Sequence, residues 1–198
     1  MWRRACLAAP VLLLAACGND QALPVPPRPG VDTLVRRPAQ HLALVLADLP
    51  SGFDVGEELV SVTPTGGTAP PDAFGRLSAY AITFRAPGNR GRTGDVVSSV
   101  NAYVGLAEAR ANFAAWQEAV PNTYRRLVTA PSGAPPGAVA YLQATDGACL
   151  LGFRSHNVVA SVRVGPLPGE PLGAAGAPEQ TVRLAALVLH RIDAVAGR

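Results

Sequence analysis

The chain has 198 residues, 48% of them apolar and 16% charged, with 17 basic and 14 acidic residues for a formal net charge of +3. That balance excludes a nucleic-acid footprint, which needs a clustered basic excess, and the single-domain length leaves room for one hydrophobic core. All the cations are Arg, and with the abundance of Ala, Gly and Pro this reflects codon bias in a GC-rich genome better than any choice of bidentate recognition. In chain order, Arg3 and Arg4 form a positive start, "ACLAAPVLLLAA" an apolar stretch of 12 residues, and small residues precede Cys17. This is the layout of a secretory signal that is removed rather than folded. The stretch is well short of the roughly 20 residues that a spanning helix needs. With Arg3 and Arg4 gone, 17 less 2 basic residues against 14 acidic ones leave about +1.

Leu14-Ala15-Ala16-Cys17-Gly18 resembles the bacterial lipobox. The resemblance implies that Cys17 receives diacylglycerol, that a dedicated signal peptidase cuts before it, and that the new amine is acylated. Each buried methylene then contributes about 0.8 kcal/mol, and two chains hold where one leaks off. The expected partners are the membrane, through diacylglyceryl-Cys17, and the lipoprotein-processing enzymes; the expected location is the cell envelope, facing the extracytoplasmic side. The residue after Cys17 is Gly18, not the Asp that would signal inner-membrane retention. The division that follows is a signal peptide at 1–16, the lipidated Cys and a tether at 17–38, and one extracytoplasmic domain at 39–198. "LPVPPRPG" and "RRP" in the tether favour extended polyproline backbone, a spacer of up to about 60 Å.

Within the domain, "AQHLALVLADLPSGF" reads as a short apolar helix, with Leu42, Leu44, Val45, Leu46 and Leu49, stopped by Pro50 and the Ser51-Gly52 turn. "EELVSVT" is a strand, and Pro64 to Asp72 a loop. "RLSAYAITFRA" is a strand with Tyr80, Ile82 and Phe84 on one face. After the exposed loop "PGNRGRTGD", "DVVSSVNAYVG" alternates Val96, Ser98, Val100 and Ala102 against Val97, Ser99, Asn101 and Tyr103. Leu106, Ala109, Phe113, Trp116 and Val120 then recur at helical spacing and predict a helix over 106–120 whose stripe joins the core. "PNTYRRLV" follows Pro121 as a turn or shorter helix. "AVAYLQA", "ACLLGFRS" and "NVVASVRVG" are three strands, with Ser155-His156-Asn157 as a solvated turn between the last two. Pro178 to Ala196 is a broad apolar helix. Two helices separated by blocks of strands, without βαβ alternation, predict an α+β fold with a mostly antiparallel sheet.

"LADLPSGF", the strand pair, the Trp-bearing helix, the hairpin "GFRSHNVVASVRVG" and the final helix resemble the extracytoplasmic domains of actinobacterial-type lipoproteins and of serine/threonine-kinase sensors. The element order also resembles the fold of photosystem oxygen-evolving subunits and a nuclear-transport factor. Those sensor domains carry paired cysteines. Of the 3 cysteines here, Cys6 leaves with the signal and Cys17 is acylated, so Cys149 stands alone as a small buried hydrophobe within "ACLLGF".

Catalytic and metal motifs are missing: no GxSxG, P-loop, GxGxxG, HxH or HExxH spacing occurs. His41, His156 and His190 fall on separate elements, His190 with Asp193 reads as a helix-surface pair, and Glu57 and Glu58 point to opposite sides of a strand. No cofactor, no metal and no enzyme activity are expected; Ser155 and His156 are the residues a hydrolase would have to use. The sequence points instead to an interaction module for a lipid, a small apolar molecule or an envelope protein. The alternative is an accessory subunit that uses the Tyr80-Ile82-Phe84 face or the Tyr103 face.

Overall fold

Alternation along three neighbouring strands decides the architecture. The computed structural model describes residues 33–62, 75–86, 95–166 and 176–196. The signal segment, Cys17, the first part of the tether and most of the three long loops lie outside the described residues. The strands are β1 (Asp54–Val62), β2 (Arg76–Arg85), β3 (Val96–Tyr103), β4 (Tyr124–Arg126), β5 (Val139–Gln143), β6 (Cys149–Ser155) and β7 (Val158–Val164). They form one sheet in the order β1-β2-β3-β7-β6-β5-β4, and every pairing is antiparallel. With the helices α1 (Leu106–Ala119) and α2 (Gly176–Val195) this is the α+β fold that the sequence predicts.

Val96, Val100, Val158, Ala160, Val162 and Val164 lie on one face, buried with Ile82, Phe84, Leu151 and Phe153. Leu184, Ala185, Val188 and Ile192 of α2 close over that face. Burial of Ile82, Phe84 and Tyr103 removes them from any docking surface. α1 covers the other face more lightly. Only Ala109 of its stripe is fully buried, in a small cluster with Tyr103 and Val159, while Phe113 and Trp116 are half-buried. Phe113 stacks on Trp116 with ring centroids 5.8 Å apart, and Trp116 meets Tyr141 edge-on at 5.9 Å. Trp116 sits on Gly152, where a Cβ would come within 2.2 Å of the indole.

Residues 33–50 form a strap across the α2 face, and here the structure departs from the sequence reading. Thr33 to Pro38, read as tether, already belong to the folded body, with Val35 buried. The single helix expected next is replaced by two 3-10 turns, Ala39–His41 and Leu46–Asp48, separated by extended chain. Leu42, Ala43 and Leu44 are buried in succession, which a helix lying on a sheet does not achieve because consecutive side chains diverge around its axis. The strap's N–H groups find side-chain acceptors instead: Ala39 donates to Ser78 Oγ at 3.1 Å and Leu44 to Ser98 Oγ at 3.3 Å. The "PNTYRRLV" stretch is likewise neither turn nor helix. Its residues Tyr124–Arg126 pair with β5 as an edge strand, and Tyr124 Oη accepts from Arg163 Nε at 2.9 Å.

Gly152→Ala is expected to lower stability by about 1–3 kcal/mol through overpacking against Trp116. Urea unfolding measures it, and the loss should shrink in a Trp116→Ala background, because the two residues share one contact.

Candidate ligand pocket

Pro50 and the Ser51-Gly52 turn, with Gly52 at φ 97°, lead the strap away from the sheet and into β1. A cavity of about 300 Å³, open to solvent on one side, lies where the strap departs. Leu49, Pro50, Ser51 and Phe53 make one wall. Ala86, Val96 and Val164, at the ends of β2, β3 and β7, make the floor, and Gln180, Arg183 and Leu184 of α2 the far wall. The volume is at the lower end of the range for small-molecule sites. These residues come from five segments and follow no spacing, so the sequence carried no signal for them; only the apolar character of a site between helices and sheet was legible.

A clamp beside the pocket fixes the strap to α2. Arg191 donates from Nη2 to Asp48 Oδ1 at 2.7 Å, and from Nη1 to Asp48 Oδ2 and to the Ala43 carbonyl, each at 2.8 Å. Asp48 Oδ2 also accepts from the Val45 N–H at 2.8 Å. Burial pushes the Asp48 carboxyl up, but the Arg191 hydrogen bond, the Val45 hydrogen bond and the charges of Arg191 and Arg183 outweigh it and hold the carboxyl below its usual value of 3.8.

The residues singled out for hydrolysis lie at the opposite end of the strap. Ser155 Oγ donates to Asp193 Oδ1 at 3.1 Å, His156 Nε2 is 3.4 Å from the same oxygen, and His156 Nδ1 is 2.9 Å from the Thr33 carbonyl. A nucleophile and its base share a hydrogen bond; here Ser155 bonds the carboxylate, and His156 joins the strap to α2. His156 is 9% exposed, not solvated, and its φ of 51° lets the two-residue turn close. Asp193 faces Ser155 and His156 rather than pairing only with His190 along its helix. His190 and His41 are exposed on separate elements. Among the described residues no group of three or more His, Cys, Asp or Glu is placed to hold a metal ion. Cys149 is fully buried and free, and burial pushes its thiol up despite a hydrogen bond with Thr181.

No family model and no curated protein matches this chain. Among solved structures it is similar to the extracellular domain of PknH from Mycobacterium tuberculosis, with a TM-score of 0.51 and 14% identity over 81% of this chain and 100% of that one. At that identity the likeness establishes a shared fold. Among the described residues no helix is long and apolar enough to cross a membrane.

Because the folded carboxyl of Asp48 titrates below its unfolded value, the clamp's contribution is complete above the unfolded value and is lost as pH falls through the folded one. Asp48→Asn is therefore expected to destabilise the protein at neutral pH and to flatten the acid limb of its stability profile between about pH 5 and pH 2, as read by thermal unfolding across pH.

Proposed function

We propose that this protein is a lipid-anchored extracytoplasmic module of the bacterial envelope that holds a small apolar ligand in the cavity between the strap and α2, without catalysing a reaction on it. The carrying observation is the cavity itself, whose walls are almost wholly aliphatic and aromatic around one open side. The signal-like start and the lipobox-like Leu14 to Gly18 support the address, as does the shared fold with a protein domain described as extracellular. A second reading, contact with an envelope protein, draws on the edge strand β1, where Leu59 is 62% and Val60 52% exposed. Strand addition at such an edge gives backbone hydrogen bonds with pockets for alternate side chains.

The anchor is tested in cells: the wild-type chain incorporates labelled palmitate and partitions into detergent, and Cys17→Ala abolishes both. The pocket is tested on the mature chain from Gly18 onward with N-phenylnaphthylamine, a neutral apolar dye that brightens on leaving water. One dye per chain is expected to bind. Ala86→Phe, which places a ring in the cavity, abolishes that binding while the circular dichroism spectrum and unfolding midpoint stay close to wild type. Undiminished binding in Ala86→Phe would remove the cavity as the site.

A further inference from the structure

We infer that the ligand of this cavity is a single-chain amphiphile with an anionic head, its tail between Leu49, Phe53 and Leu184 and its head at Arg183. The inference rests on reading the cavity as a ligand site and adds the class of ligand that fits it.

Among the lining residues Arg183 is the sole ionisable group, and no carboxylate faces the cavity. The acid that feels its charge is Asp48. Both oxygens of Asp48 are already taken by the Arg191 guanidinium, one of them also by the Val45 N–H. The Asp48 charge is thus matched by Arg191, which leaves Arg183 uncompensated at the mouth. Arg183 also has a set direction. Its Nε donates to Gln180 Oε1 at 3.0 Å, three residues earlier on the same face of α2. Among the described residues neither Nη group has a partner, so a fork of donors remains that matches a carboxylate or phosphate.

The same bond orients Gln180. With its oxygen accepting from Arg183, the amide nitrogen is left with donors only. Ser51 adds a hydroxyl on the opposite rim. The mouth therefore presents one cation and several donors, while the interior offers Leu49, Phe53, Ala86, Val96, Val164 and Leu184, which have no polar side-chain atom. An alkyl chain satisfies the interior and an anion satisfies the rim. An alkylammonium would meet like charge there, and a neutral head would leave the guanidinium fork unused. A free fatty acid and a lipid-derived phosphomonoester share this chemistry.

The test uses the mature chain from Gly18 to Arg198 and displacement of bound N-phenylnaphthylamine by octanoate, octyl phosphate, octanol and octylamine, each below its micelle-forming concentration. At low ionic strength the two anions are expected to displace the dye at about five- to tenfold lower concentration than octanol, the range of one charge-assisted contact at a partly exposed site. Octylamine should be the weakest. Arg183→Gln removes that advantage without changing the dye or octanol affinity, and Arg183→Glu moves the preference to octylamine. The order of octanoate and octyl phosphate tells which source of anionic head fits. If the dye binds one per chain and Ala86→Phe abolishes it, yet the four competitors are equivalent or the anion advantage survives Arg183→Gln, the head-group inference falls and the pocket stands. If the dye does not bind, or binds Ala86→Phe equally, the pocket reading fails, and this inference with it.

Discussion

The strap lies on the sheet because Asn157 holds it there with its side-chain amide. Asn157 Oδ1 accepts from the Val35 N–H at 2.7 Å, and Nδ2 donates to the Val35 carbonyl at 3.1 Å and also to the Tyr103 carbonyl. One amide thus does for Val35 what a neighbouring strand would do, donating and accepting at a single residue. It also ties the end of β3 to the turn before β7. Asn157 is 1% exposed, where each unmade hydrogen bond would cost about 1–3 kcal/mol. Ser78 and Ser98 repeat the device further along. Irregular chain can be buried over an apolar sheet face only if its backbone donors and acceptors are met, and these three side chains, each buried, meet those at Val35, Ala39 and Leu44.

From that constraint the rest follows in layers. The strap occupies the part of the face over β2 and β3, α2 the part over β6 and β7, and the two are tied at both ends. Near Thr33 the tie is His156 between the strap carbonyl and Asp193 of α2; near Asp48 it is the Arg191 clamp. Where Pro50 takes the strap off the sheet, nothing replaces it over the ends of β2, β3 and β7, and the cavity is that gap. The candidate site is therefore a consequence of how the strap is held, and Arg191 sets the position of its wall.

The strands were legible because a sheet with one heavily covered face forces period-2 patterning. Val96 to Ala102 and Val158 to Val164 show it without interruption, and the register pairs Val96 with Val164 and Ala102 with Val158. The two long helices were legible by length and stripe. The strap was misread because its leucines are as compatible with a helix as with extended chain under another layer, and the deciding residues, Ser78, Ser98 and Asn157, are 39 to 122 positions away. β4 is three residues long, too short to carry a period. The turn at His156 was legible as a turn, but its burial was not, since that depends on the strap and Asp193 arriving from distant segments. The pocket was illegible for the same reason. Its apolar residues look like core residues, and only their position at the end of the sheet makes them walls.

A gap of this kind has a physical condition attached. A closed, dry void of about 300 Å³ would cost roughly 7 kcal/mol at about 24 cal/mol per Å³, comparable to the whole stability of an ordinary domain. The fold avoids that cost by leaving one side open, where exposed Pro50, Ser51 and Arg183 meet solvent and water enters. Water among Leu49, Phe53 and Leu184 finds few hydrogen-bond partners, so displacing it with an alkyl chain is favourable at about 0.8 kcal/mol per buried methylene. The polar rim and apolar interior thus select together. The rim keeps the empty site affordable, and the interior makes the filled site the more stable one.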